Sequence, residues 1–535
     1  MSLLRSPVKI ECVSESTKVT ACGGSALLLE MMIASRALAD LPVDAGTPSR
    51  GWTDGQMILT VMLLNILDHD AVSDVELLEA DEAPGRLVRE SEPAILGIAR
   101  GRIKRRFRGG RERNFPSTRS LGQWLDRFHD AELHRTHPAG EAVVRPDGPR
   151  HGLLREINRR LVAPGAGLAK ATIDLDATII GSGKRDCHYT YRAGNRTVPG
   201  ERGYQPLVAY VGELDMAPWL EMRDGNVPAS FENRRGLEAT LRQLPESIRR
   251  ATLRTDGAGY QEEVFRFCND PAGRPADLRR FGVIGLFCGA TRSEELMAEA
   301  KRLPEAAWQP LHKPGSGDGS KPGDDGDIIE CAELPFVSNM TARAKPGHVI
   351  RYVATRRLVP DQFPVDAGQL PSRNGSSWEI RAYATNHPAP DAIPSDKANG
   401  LSVMTGPEVV RQAHLRCGRG EEIHSILKSD LAGGIMPSGR FGANAAWMLL
   451  TALSRNVVAA TNLAADGLEG PRRIRMKRLR APWLHIAARL VSSGRRFRLI
   501  FGESGRHFVK TVARIRHNIE KLLATQPHPP PRTAG

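Results

Sequence analysis

The chain is 535 residues long, enough for two to four domains and a sizeable core. Its 40% hydrophobic and 25% charged content are ordinary for a globular protein, but a formal net charge of +14 favours a polyanionic partner. The seven cysteines form no C-x-x-C pair, which speaks against a zinc framework or a disulfide scaffold. Cys187-His188 is a lone adjacent pair that reads as packing or surface. With no leader pattern and no apolar run near about 18 residues, a reducing cytoplasm is the expected compartment.

Residues 1 to about 25 have no clear period. Ser25 to Leu41 and Thr53 to Asp68 are helical in pattern. In the second, Met57, Leu59, Val61, Met62, Leu64 and Ile66 form a broad apolar stripe behind a Thr53-Asp54 cap. Ala71 to Leu87 and Glu92 to Leu96 read as further short helices, so 1–135 is expected to be an all-α DNA-binding region. It carries Arg100, Arg102, Lys104, Arg105, Arg106, Arg108, Arg111 and Arg113, with Glu112 the only acid among them. Cations so crowded repel one another unless phosphates neutralise them, which makes Arg102, Lys104, Arg105, Arg106 and Arg108 candidate DNA contacts. Phe115-Pro116-Ser117-Thr118 then caps a helix from Leu121 to Phe128, of recognition-helix size. Residues 136–168, punctuated by Pro and Gly, are expected to be a linker.

The next stretch organises the chain. From Ala171 to Ile180, Ile173, Leu175, Ala177 and Ile179 point to one side of a strand, and Thr172, Asp174, Asp176 and Thr178 to the other. Further strands are expected at Tyr204 to Val211, near Trp219 to Arg223, at Thr252 to Asp256 and at Val283 to Cys288. Helices are expected at Phe231 to Leu244, Gln261 to Asn269 and Thr291 to Leu303. This alternation over 169–305 indicates a mixed α/β sheet. A β-rich insertion over 306–405 follows, with strands at Val349 to Leu358 and Trp378 to Thr385. Helices return over 406–465, from Pro407 to Leu431 and from Phe441 to Ala459. The region 466–535 is expected to be a basic C-terminal tail, with Arg472, Arg473, Arg475, Lys477, Arg478 and Arg480, a strand-like run at Arg495 to Arg498 and a last helix ending near Leu523.

Glu421 and Lys428 are seven residues apart on a helix, within about 20° of one face. Alone, that pair is equally a surface helix. Together with Asp176 in a first strand and Asp256 at the end of a fourth, it matches an RNase H-like site. Three such carboxylates converging would hold two divalent ions about 4 Å apart for an in-line displacement at phosphorus. Mg²⁺ suits an all-oxygen ligand set, with Mn²⁺ as the alternative.

The chain resembles the DDE transposases of bacterial insertion sequences, and within them the family numbered 1380. The likeness is carried by Gly51-Trp52-Thr53-Asp54-Gly55-Gln56, Phe115 to Thr118, Ile173 to Thr178, Gly203-Tyr204-Gln205-Pro206-Leu207, Arg223 to Ala229 and Arg254-Thr255-Asp256-Gly257. Glu421 to Lys428 and Gly439 to Trp447 complete it, all in the expected order. The resemblance implies an RNase H-like catalytic core, and Asp176, Asp256 and Glu421 as the triad and metal ligands. Asp174 competes with Asp176, which Thr178 two residues later favours; Glu422 competes with Glu421, which the Glu-x6-Lys spacing favours. Lys428 would bind the terminal phosphate. The family pattern also has Tyr and Arg seven and four residues before the Glu. Those positions are His414 and Cys417 here, flanked by Arg416 and Arg419, which become DNA-binding candidates. Related enzymes hold a flipped base on an aromatic of the inserted β region, where Trp308 and Trp378 stand, although core packing accounts for either. The expected partners are double-stranded DNA, as terminal inverted repeats and target, and a second copy of the chain on the paired end. A nuclease without strand transfer, or an inactive DNA-binding derivative, is the alternative.

Overall fold

Strict alternation makes Lys170–Ala177 a strand, β1, whose Ile173 and Leu175 are buried in the core. The computed structural model describes residues 19–41, 51–98, 112–136, 140–144, 148–163, 167–184, 186–192, 202–311, 329–344, 348, 350–360, 369–371, 376–466, 475–493 and 496–524. On one side of β1, β2 (Leu207–Val211) and β3 (Met216–Glu221) run as an antiparallel meander. On the other side lies β4 (Arg250–Thr255), parallel to β1 with Asp174 opposite Arg254, and then β5 (Gly285–Gly289), parallel to β4. Parallel neighbours need a crossover, and the helices Asn233–Gln243 and Glu262–Asn269 lie on the connections into β4 and β5.

The β-rich insertion extends this sheet. Its strands β6 (Ile329–Leu334), β7 (Arg351–Pro360) and β8 (Ser376–Thr385) are antiparallel to one another, and β8 pairs with β5, Tyr383 opposite Gly289. The order across the sheet is Gln309–Pro310, β6, β7, β8, β5, β4, β1, β2, β3. The result is one large mixed sheet flanked by helices. In the insertion the Arg356 guanidinium lies over both Trp308 and Trp378, 4.6 and 4.3 Å from the ring centroids, and pairs with Glu305 and Glu330. Both indoles are thereby occupied in packing.

The Phe441–Asp466 helix is the spine. It is apolar almost all round, which marks a helix surrounded by protein. It packs against the helices Ser25–Ser35, Asp54–Ile66 and Pro149–Val162, against β3 and against the final helix Arg506–Ala524. Polar groups on it find partners. Asn456 accepts from the Ala217 N–H at 2.8 Å and donates to Asn158 at 2.6 Å, and Trp447 Nε1 donates to the Ala432 carbonyl at 3.0 Å. Among the described residues no helix is long and apolar enough to cross a membrane.

Two expectations about organisation change. The segment expected as a linker contains the Pro149–Val162 helix, with Leu154, Ile157 and Leu161 fully buried. Its apolar residues recur at helical spacing behind Pro149 at the first turn; the Pro and Gly that flank it mark its ends. Second, the N-terminal region is not purely helical, nor is the C-terminal region a tail. Val19–Thr20 pairs with the strand Ala488–Ser493, which pairs with Arg496–Phe501. The Ser25–Ser35 helix lies against the Arg506–Ala524 helix, where Glu30 and Arg516 form an ion pair.

Arg455 on the spine pairs with Asp215 in the turn between β2 and β3, and both are buried. Asp215 also accepts from the Tyr210 hydroxyl at 2.7 Å. Asp215→Asn tolerates the left-handed backbone there (φ 55°) but strands the guanidinium. It is expected to destabilise the protein by about 3–5 kcal/mol, read as a lowered denaturant midpoint.

Candidate active site

The polar face of β1 divides into three environments. At its start the Thr172 N–H and hydroxyl donate to Glu213 at 2.8 and 2.7 Å. Asp174, in the middle, is 1% exposed and accepts two hydrogen bonds from Arg254, at 2.6 and 2.7 Å. Burial holds its carboxyl above the ordinary range despite the guanidinium. A carboxylate wholly engaged in this way is a structural group. Asp176, two residues on, is only partly buried and stands at the open end of the strand.

Because β1 and β4 run parallel with Asp174 opposite Arg254, their next outward positions also lie side by side. Asp256 follows the end of β4, where its Oδ1 accepts from the Ala258 N–H at 2.9 Å and starts a short turn. Burial and then the charge of Asp176 push the Asp256 carboxyl above its ordinary range. For Asp176 burial acts the same way, but the His424 ring and the Arg416 guanidinium outweigh it and hold that carboxyl below. Arg416 Nη1 is 2.8 Å from Asp176 Oδ2, and His424 Nε2 is 3.6 Å away.

Both side chains come from the Gly406–Ser425 helix. Glu408 closes its first turn by accepting the Thr405 N–H at 2.7 Å. The helix crosses β1 at Gly420, where an added Cβ would lie 3.7 Å from Asp174 Cβ. It then widens into a π turn at Ile426–Asp430, a distortion frequent at functional sites. From that turn Lys428 Nζ reaches the Thr178 hydroxyl at 3.0 Å and the Ile179 carbonyl at 3.4 Å. Burial lowers the Lys428 pKa.

Of the four candidate catalytic residues, Asp176 and Asp256 meet at one end of the sheet, and Lys428 reaches Thr178, two residues beyond Asp176. Glu421 is exposed at the rim, about 60° around the helix from His424, and contacts neither aspartate among the described residues. Glu422 is turned about 200° from Gly420, away from β1. Among the described residues the acids do not form a tight ligand trio; the group whose ligand atoms all lie within 4.8 Å of one another is His129, His134 and His188.

The candidate DNA contacts fare unevenly. Arg102, Lys104, Arg105, Arg106, Arg108, Arg472 and Arg473 lie outside the described residues, as do the side chains of Cys417 and Arg419. Arg416, expected at DNA, is drawn instead to the paired carboxylates. Arg113 at the end of the basic cluster is taken up by Glu76 at 2.8 Å and the Phe115 carbonyl at 3.1 Å. Arg480 is buried against the carbonyls of Ile66, Asn65 and Asp430.

Sequence reasoning missed Tyr383. It crosses from β8 and its hydroxyl lies 2.7 Å from His414 Nε2, so the insertion brings a phenol to the helix. His414 in place of Tyr was the only signal, and it could not reveal a partner 31 residues away. His424 and its approach to Asp176 were missed as well.

No family model matches the chain, and no curated protein matches it. Among solved structures, a piggyBac transposase synaptic complex with hairpin DNA is similar over 96% of this chain and 87% of that one. The identity is 10% and the TM-score 0.39, a level at which the likeness bears on neither fold nor activity.

The raised Asp256 carboxyl has a measurable consequence. The native state holds this proton more tightly than the unfolded chain, so its contribution to stability is full below about pH 4 and is lost as pH rises through the native value. Asp256→Asn keeps the acceptor for Ala258 and removes the charge. It is expected to be more stable than the parent at pH 7, with the gain vanishing below about pH 4, by urea midpoints at both.

Proposed function

We propose that this chain is a DDE transposase of a bacterial insertion sequence, with an RNase H-like core. It binds the terminal inverted repeats of its element, cuts at the element ends and joins the 3′ ends to target DNA. The observation that carries this reading is the meeting of Asp176 and Asp256 at neighbouring ends of parallel strands, beneath a helix that carries Glu421 and Lys428. The collinear motifs from Gly51 to Trp447 and the sheet continuing into an insertion support it.

The acids fit a pair of Mg²⁺ or Mn²⁺ ions on two counts. They offer hard oxygen donors, and Asp176 and Asp256 press like charges together, a repulsion that a divalent cation relieves. Asp176, Asp256 and Glu421 would hold the ions, which would supply Lewis-acid stabilisation of the attacking and leaving oxygens. Lys428, held by the Thr178 hydroxyl just past the end of β1, would bind a phosphate at the cut end. Its lowered pKa records a cation in a half-buried place, where an anionic partner is worth more than in water. Arg416, paired with one oxygen of Asp176, stands beside the acids as a further cation for a DNA phosphate. Double-stranded DNA lies across the basic segments, and two copies act on paired ends.

The test uses a duplex ending in the element's inverted repeat. Nicking that requires Mg²⁺ and falls at least about 10²–10³-fold in Asp176→Ala, Asp256→Ala and Glu421→Gln is expected. A pre-cut 3′ end offered with target DNA should give joined product; cutting without joining would reduce the protein to a nuclease. Nicking that survives in Asp256→Ala would remove the acids from the chemistry. Affinity for the end duplex should also fall steeply with salt. Replacing Arg102, Lys104, Arg105, Arg106 and Arg108 should flatten that dependence, by roughly 0.9 in slope for each phosphate no longer neutralised.

A further inference from the structure

A second cluster of chemistry-bearing side chains lies away from the acids. After the Thr118–Asp126 helix the chain turns back, placing His129, and a five-residue helix, Ala131–Arg135, places His134. Facing them, the segment between β1 and β2 presents His188. Ligand nitrogens of the three imidazoles all lie within 4.8 Å of one another. The His134 and His188 rings are stacked, with centroids 4.0 Å apart, and His129 is 5.5 and 5.1 Å from them.

Surrounding contacts orient the rings. The Tyr189 hydroxyl contacts both the His134 carbonyl, at 3.2 Å, and His134 Nδ1; with its proton on the carbonyl, the imidazole N–H is the donor in the second contact. In that arrangement the Nε2 lone pair is left for a ligand, as in a histidine prepared for metal. The His188 backbone N–H donates to the Gly439 carbonyl at 2.9 Å, and its carbonyl accepts from the Tyr204 hydroxyl at 2.8 Å. Tyr189 sits in the left-handed region (φ 61°), a strain of about 1–2 kcal/mol that persists only where the surroundings impose it. A cavity of about 60 Å³ bordered by His129, His134 and Tyr189 leaves room for a water.

We propose that His129, His134 and His188 bind one zinc ion, with water from the adjoining cavity in the fourth position. Imidazole nitrogens suit Zn²⁺ and not Mg²⁺, so this ion is distinct from those of the acid site. A tetrahedral centre with Zn–N near 2.0–2.1 Å needs nitrogens about 3.3 Å apart, so binding requires His134 to unstack from His188. The ion ties the helical region at 118–135 to the loop after β1 and, through Gly439, to the start of the spine.

The test uses the full chain, stripped with a chelator and titrated with Zn²⁺ or Co²⁺ alone. One equivalent retained after desalting, visible Co²⁺ ligand-field bands and a raised Tm are expected. His134→Gln, at an exposed position, should weaken Zn²⁺ binding at least about 10-fold, and Tyr189→Phe, which removes only the orienting hydroxyl, by about 10–100-fold. The double variant Asp176→Asn, Asp256→Asn should bind Zn²⁺ as the parent does. No stoichiometric Zn²⁺ in the parent, or equal affinity in the parent and His134→Gln, would overturn the assignment. So would loss of binding in the double aspartate variant.

Discussion

The buried pair between Asp174 and Arg254 sets the geometry on which the candidate site depends. Two parallel strands can slide past each other by a residue pair at little cost to their hydrogen bonds. A bidentate carboxylate–guanidinium contact across β1 and β4 forbids that slip, because any other register leaves a buried charge uncompensated. With the register fixed, the following acids are carried to the same level, one at the end of β1 and one just past β4. Their mutual repulsion follows from that placement, and so does the recruitment of Arg416. A structural ion pair two residues away thus produces a perturbed carboxylate pair at the surface.

The excess of positive charge has two destinations. Arg223, Arg254, Arg274, Arg356, Arg455 and Arg480 are each less than 5% exposed and hold the fold together through carboxylates and carbonyl oxygens. Arginine suits this role because its planar fork satisfies several acceptors while staying weakly hydrated. Composition alone cannot separate such residues from those available to a polyanion. Arg113 and Arg480 illustrate the difficulty: each belongs to a basic run in the sequence, and each is spoken for within the protein.

What was legible in the sequence follows the same physical line. Period-two alternation revealed β1 and put Asp174 and Asp176 on one face, and strand-ending acids before Gly257 marked β4. Local rules could rank the two aspartates only by spacing; the choice needed Arg254, which is 80 residues away. Expecting a linker at 136–168 gave Pro and Gly more weight than the apolar spacing of Leu154, Ile157 and Leu161. The pairing of Val19–Thr20 with Ala488–Ser493 left no local trace, since two residues are too few to show a period. Arg416, His424 and Tyr383 reach the acids or the helix above them through contacts between distant segments, for which a single chain carries no pattern.

The joining of residues 19–20 to residues 488–493 bears on synthesis. A nascent chain emerging from the ribosome cannot complete that small sheet until its last tenth has been made, because the partner strand does not yet exist. Until then Leu27, Leu28 and Met31, which the finished molecule buries, lack part of their cover. A transcript cut short before this hairpin would yield a polypeptide with the acids in place and its first helix unsheltered, an open target for proteolysis.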